Sequence, residues 1–149
     1  MNPLALKKNI QKAIREVPKV LDQTIKELKL EELNRKNLLK GKDSEGIDMP
    51  FYSSHSEYGY EKLRRNPLNR GRWDLKDTGQ YHRGIYVKRN RSFVEFKQKY
   101  TNTKVISLER KLETANRIAL GIEQKELDKI LEEKKPEIKL KIENLIAGR

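Results

Sequence analysis

Few residues in this chain have the types and spacing that chemistry needs. Asp74 and Asp77 stand close to Arg70, Arg72 and Arg83, a set that could hold a magnesium ion for phosphodiester chemistry while the guanidinium groups bind phosphate. Each carboxylate also has a simpler role. Asp74 suits a turn, and Asp77 suits the N-cap of a short helix with Gln80 at the third helical position, the spacing of a capping box. A two-metal site would need more acids, and residues 62–104 contain only Asp74, Asp77 and Glu95. His55 and His82 are the only histidines, and neither has a second ligand at a zinc spacing. With no cysteine, disulfides and thiolate metal sites are excluded. No glycine-rich phosphate loop or nucleophile elbow is present. The expectation is a protein that is not an enzyme, with no catalytic, metal-binding or cofactor-binding residues.

The distribution of charge and aromatic residues is more informative. All ten aromatics fall between Phe51 and Tyr100. Residues 62–104 carry thirteen Lys and Arg against three acids, so nearly all of the net +12 sits on this one segment. Arg64, Arg65, Arg70, Arg72, Lys88, Arg89 and Arg91 form a candidate basic contact surface. Interleaved with Tyr60, Trp73, Tyr81 and Tyr86, they could track a nucleic-acid backbone with rings for stacking. They could equally be a charged loop and hairpin tip, solvated or paired with acids on another protein. Arginine with aromatics is also what protein interfaces favour at their cores. Phe51, Tyr52, Tyr58, Tyr60 and Trp73 form a candidate subunit interface, their rings covered by this domain's own sheet or by a neighbouring subunit.

The elements that must position these residues follow from periodicity. At 149 residues, 35% of them hydrophobic and 38% charged, the chain suits one domain with a modest core. Residues 3–17 read as an amphipathic helix that Pro18 ends or kinks, and a second helix runs from there to about residue 40, where Gly41 serves as C-terminal cap. Residues 41–72 read as a long irregular loop rich in turn chemistry. Residues 73–104 hold a short helix at 78–83 that stops at Gly84, then a β-hairpin of strands 85–88 and 92–100. Asp77, Thr78, Gly79 and Gly84 supply its caps and turns. One strand face, with Val94, Phe96, Gln98 and Tyr100, is apolar enough to pack under the N-terminal helices. A helical stripe from Val105 to Ala119 breaks at Gly121, a shorter helix covers 123–134, and Pro136 opens a last one. The fold class is α+β, with N-terminal helices packed on a small antiparallel hairpin, a long central loop and C-terminal helices. No apolar run is long enough for a signal peptide or a membrane span, so a soluble intracellular protein without a membrane partner is expected.

The order of a helical N-terminus, Gly41-Lys42-Asp43-Ser44-Glu45-Gly46, Tyr52-Ser53, and Leu75-Lys76-Asp77-Thr78-Gly79 before a hairpin resembles small virion proteins of tailed bacteriophages, of the head-tail joining or tail-completion kind. It is most similar to versions from phages of gut Bacteroidetes, including crAss-like phages. Leu120-Gly121-Ile122 and Lys135-Pro136-Glu137-Ile138 resemble the ending of those proteins. The resemblance covers most of residues 33–146, while the basic 62–91 segment and the N-terminal helical pair depart from it. It implies a non-enzymatic subunit of a homo-oligomeric neck or tail ring, located in the virion after assembly in the bacterial cytoplasm. Its implied partners are other connector, portal or tail proteins, with contact to packaged DNA as a further possibility. A phage nucleic-acid-binding protein using residues 62–104 is the alternative.

Overall fold

The computed structural model describes residues 2–90 and 93–148. In chain order the elements are α1 (Pro3–Leu28), α2 (Leu30–Leu39), α3 (Glu57–Arg65), a 3-10 turn (Pro67–Asn69), α4 (Gln80–Gly84), β1 (Ile85–Arg89), β2 (Val94–Gln98), α5 (Thr103–Thr114) and α6 (Gln124–Ala147). The fold is α+β, long helices with one two-stranded antiparallel sheet. The chain forms two compact units, one made of the residues up to Lys29 with those from Lys125 on, the other of Leu30–Gln124.

The first unit contains α1 and α6. The Asn2 side chain caps α1 by accepting the Leu4 N–H at 3.0 Å, and Pro3 follows in the first turn. Contrary to the expected break, α1 runs on through Pro18, and α6 runs on through Pro136. An interior proline costs a helix about 3 kcal/mol. Here the inward face of Ala13, Val17, Val20, Leu21 and Thr24 continues in register across Pro18, so breaking the helix there would split that face in two. The chain turns instead at Lys29, which takes a left-handed conformation with φ 48°. Burial in this unit is slight. Ala13 and Thr24 are the buried residues of α1, and α6 has none. Lys141 of α6 reaches Glu27 of α1 at 3.4 Å.

The second unit holds the main core, where Leu38, Met49, Leu75, Tyr81, Ile85, Val105, Leu112 and Ala119 cluster, flanked by half-buried Trp73, Phe96 and Tyr100. The hairpin pairs Ile85 with Gln98 and Arg89 with Val94, so Ile85, Val87 and Phe96 share one face, as the alternation requires. Arg35 of α2 fastens the hairpin by donating to the carbonyls of His82 at 2.6 Å and Ile85 at 2.7 Å. Asn34, one residue earlier, binds the carbonyls of Ala119 and Gly121 at 2.8 and 2.7 Å.

Both α2 and α5 end in Schellman motifs. Gly41 has φ 72° and Lys42 N–H reaches back to the Asn37 carbonyl at 3.0 Å, which fulfils the expected cap. Asn116 plays the same part after α5 with φ 53°, and Arg117 N–H binds the Leu112 carbonyl at 2.9 Å. The helix expected to reach Ala119 therefore stops at Thr114. Ala119 enters the core from the following loop.

The expected irregular stretch 41–72 is more ordered than its turn residues suggest. Phe51 pairs with Arg72 in a β-bridge, and Tyr52 N–H and Trp73 N–H bind the carbonyls of Gly71 and Pro50, each at 2.8 Å. Within it lies α3, capped by Ser56, whose hydroxyl accepts the Gly59 N–H at 3.0 Å. Glu57 in its first turn and Lys62, Arg64 and Arg65 in its last complement the helix dipole. Gly59 faces inward, and a β-carbon there would stand 2.0 Å from the Ser53 carbonyl oxygen. Helix propensity alone gives Gly→Ala a gain of about 1 kcal/mol. Gly59→Ala should instead destabilise by about 1–3 kcal/mol through overpacking against backbone, read as a lower midpoint of thermal denaturation.

Candidate functional site, an aromatic groove

The site is built outward from Lys62, the last inward-facing residue of α3. Its ammonium lies 3.0 Å from Asp74 Oδ1, with side-chain exposures of 7% and 4% for the pair. It also donates to the Lys76 carbonyl and sits over the rings of Tyr52 and Tyr58, 5.4 and 5.5 Å from their centroids. Asp74 Oδ1 accepts two further hydrogen bonds, from the Tyr52 hydroxyl at 3.1 Å and from Lys76 N–H at 3.0 Å. The Asp74 carbonyl faces His82 Nε2 at 2.6 Å, which fixes that nitrogen as the protonated one. Burial pushes the Tyr52 phenol well above its ordinary range, so it stays a neutral donor. Burial likewise lowers His82 and keeps the imidazole uncharged.

This network brackets Leu75, which has φ 54°. A left-handed conformation costs a non-glycine residue about 1–2 kcal/mol. Lys62 holds the carbonyl of the next residue and Asp74 holds its N–H, so the strained turn is pinned from both sides, and the Leu75 side chain is delivered into the core.

Against this support stands an open groove of about 1110 Å³. Phe51, Tyr52, Tyr58 and Trp73 form one wall, and the Ser107, Leu108 and Lys111 face of α5, with Ala115 just past its end, the other. Phe51 and Tyr58 remain 59% and 48% exposed. Their positions are fixed nonetheless. Tyr52 and Tyr58 meet edge to face with centroids 5.5 Å apart, Trp73 Nε1–H donates to the Phe51 carbonyl at 3.1 Å, and the Arg72 guanidinium lies 4.3 Å over the Phe51 ring.

Four of the five aromatics expected at an interface thus meet in one groove. Tyr60 does not line it and stands 68% exposed on α3. The expected basic surface is divided among separate elements. Arg64 and Arg65 pair with Glu61 at 3.1 and 2.7 Å. Arg70 follows the 3-10 turn in a left-handed conformation, and Arg72 pairs with Asp48 at 2.9 Å. Lys88 and Arg89 lie on β1, and Arg91 lies outside the described residues. The cations at the groove are instead Lys104, Arg110 and Lys111 of α5. Their signal was the seven-residue spacing of Lys104 and Lys111, two helical turns on one face.

The expected capping role of Asp77 is not what the structure has. The N-cap of α4 is Gly79, with φ 77° and no side-chain cap, and α4 begins only at Gln80. Asp77 pairs with Lys104, whose ammonium holds its carboxyl below the usual range. The Thr78 carbonyl accepts from Arg83 at 3.0 Å. Gly84 ends α4 as expected, and it must be glycine for close approach, since a β-carbon would stand 2.7 Å from the Tyr100 ring. Among the described residues no three His, Asp or Glu converge as a metal site would require.

Removing Lys62 leaves the Asp74 carboxylate buried without its counter-charge. Lys62→Met should cost about 3–5 kcal/mol in equilibrium urea unfolding, and adding Asp74→Asn should recover part of that loss. The depressed His82 pKa means the unfolded chain takes up a proton that the folded protein refuses. Stability should therefore hold above the ordinary value of 6.5 and decline as pH falls below it. Thermal midpoints recorded between about pH 5 and 7 should show this slope, and His82→Gln should flatten it. Comparison with protein-family models, curated proteins and solved structures finds no match to this chain, so its function is read from the groove's own chemistry.

Proposed function

We propose that this protein is a structural assembly subunit, a ring-forming component of the neck or tail of a tailed bacteriophage that works by adhesion. The observation that carries this reading is the aromatic groove, where large rings are held in fixed positions yet left open to a partner. Such preformed walls of Phe, Tyr and Trp are what interface hot spots are made of. The titratable groups beside it are committed to the fold: Asp74 takes three donors and His82 is bonded to a carbonyl. That supports binding over catalysis.

Adhesion is favoured over a nucleic-acid track because Arg64, Arg65 and Arg72 already pair with carboxylates of this chain. No helix among the described residues is long and apolar enough to cross a membrane. The resemblance in Gly41–Gly46, Leu75–Gly79 and the hairpin adds the location, with other connector, portal or tail proteins as neighbours.

Mass spectrometry and electron microscopy of purified particles test the proposal. The protein should be present in multiple copies in a ring, and its absence from particles would overturn the reading. Phe51→Ala, which removes an exposed ring and leaves the Lys62 network intact, should reduce incorporation at least about tenfold, as loss of an anchor ring does at an interface, while the thermal midpoint changes little.

A further inference from the structure

The groove has rings along one wall and unpaired positive charge on the other. We infer that it receives a short acidic peptide segment with apolar anchor side chains, supplied by a different protein. This rests on the adhesive reading above and names the chemistry of the partner.

The groove is long enough for a linear segment. The α5 residues that line it run from Thr103 to Thr114. At the helical rise they span about 17 Å, room for about five residues of extended chain. Along that length Phe51, Tyr58 and Trp73 offer faces against which apolar side chains can pack.

Charge decides the class of partner. Lys104, Arg110 and Lys111 line the groove against a single carboxylate, Asp77, which Lys104 already neutralises. Arg110 and Lys111 are exposed and have no ion pair among the described residues. The acids of α5, Glu109 and Glu113, lie about 160° around the helix from Lys111 and do not line the groove. Two carboxylates from a partner would complete this charge, while their apolar neighbours covered the rings.

This chain is a poor source of such a segment. It carries a net charge of +12, and Asp48, Glu61, Glu132 and Glu137 are each paired with cations of the same chain. Single-stranded nucleic acid is a poorer match to the groove, since it needs cations repeated along its backbone. Here the two unpaired cations are adjacent residues, and between them and Lys104 the wall is Ser107 and Leu108. One cationic locus beside an apolar trough is the complement of an acidic peptide.

Random copolymers of defined composition serve as probes, in fluorescence polarisation at about 0.15 M salt, where attraction between distant exposed charges is largely screened. The protein should bind fluorescein-labelled poly(Glu,Tyr) at least about tenfold more tightly than poly(Glu) of the same length, because only the first supplies anchor rings. Arg110→Gln with Lys111→Gln should weaken poly(Glu,Tyr) binding at least about tenfold, as loss of the complementary charges at a contact does. Lys7→Gln with Lys8→Gln removes the same charge from exposed positions of α1 and should change binding less than about twofold. Phe51→Ala should erase the preference for poly(Glu,Tyr). Thermal midpoints of these variants should stay close to that of the unaltered protein, so that lost binding reports a lost contact. Equal affinity for the two polymers, equal losses in the two charge variants, or a preference that survives Phe51→Ala would each overturn the inference. So would a fluorescent oligothymidylate that binds more tightly than poly(Glu,Tyr) and is released by the groove variant, which would place single-stranded nucleic acid there. The assembly reading fails on a different result, absence of the protein from purified particles.

Discussion

The buried pair of Lys62 and Asp74 is the interaction on which the rest of the second unit depends. Two opposite charges removed from water are expensive, and their attraction offsets the cost only where further hydrogen bonds satisfy what remains. Here Tyr52 and the Lys76 backbone supply those bonds, and the rings of Tyr52 and Tyr58 lie against the ammonium. The consequence is geometric more than energetic. One ion pair ties α3, the aromatic loop and the turn before α4 to a common point. It holds Leu75 in a conformation the residue would not choose, and it places Tyr58 at the edge of the groove.

Much of the fold was legible because it follows from period and turn chemistry. The hairpin, its apolar face and the Gly41 cap are local features, and local features leave a local trace. The misreadings share a cause. Proline is a helix-stop signal, but it acts on one backbone bond, and at Pro18 the inward face outweighs it. The capping spacing of Asp77 and Gln80 is real in sequence, but Lys104 offers the carboxylate a charged partner from 27 residues away. Helix α3 escaped notice because its inward face is a glycine and a lysine, which give no hydrophobic period to detect.

The site was legible in its composition and less so in its geometry. Clustered aromatics marked the right stretch, and Phe51, Tyr52, Tyr58 and Trp73 do converge. Which cations face them depends on α5 folding back across the core, a long-range event that charge counting along the chain cannot see. The dense basic segment was the stronger signal, and the structure spends Arg64, Arg65 and Arg72 on acids of its own.

The way Phe51 is held has a consequence for how long a partner would stay. Ordering a free aromatic side chain at an interface costs about 0.5–1.5 kcal/mol of lost rotamer entropy. The bridge to Arg72 and the Trp73 bond to the Phe51 carbonyl fix the backbone, and the Arg72 guanidinium over the ring restricts the side chain, so part of that cost is met in folding. A wall immobilised during folding leaves more of the contact energy to oppose dissociation, and for related complexes affinity is set chiefly by the off-rate. Long residence, rather than fast capture, is what this arrangement favours.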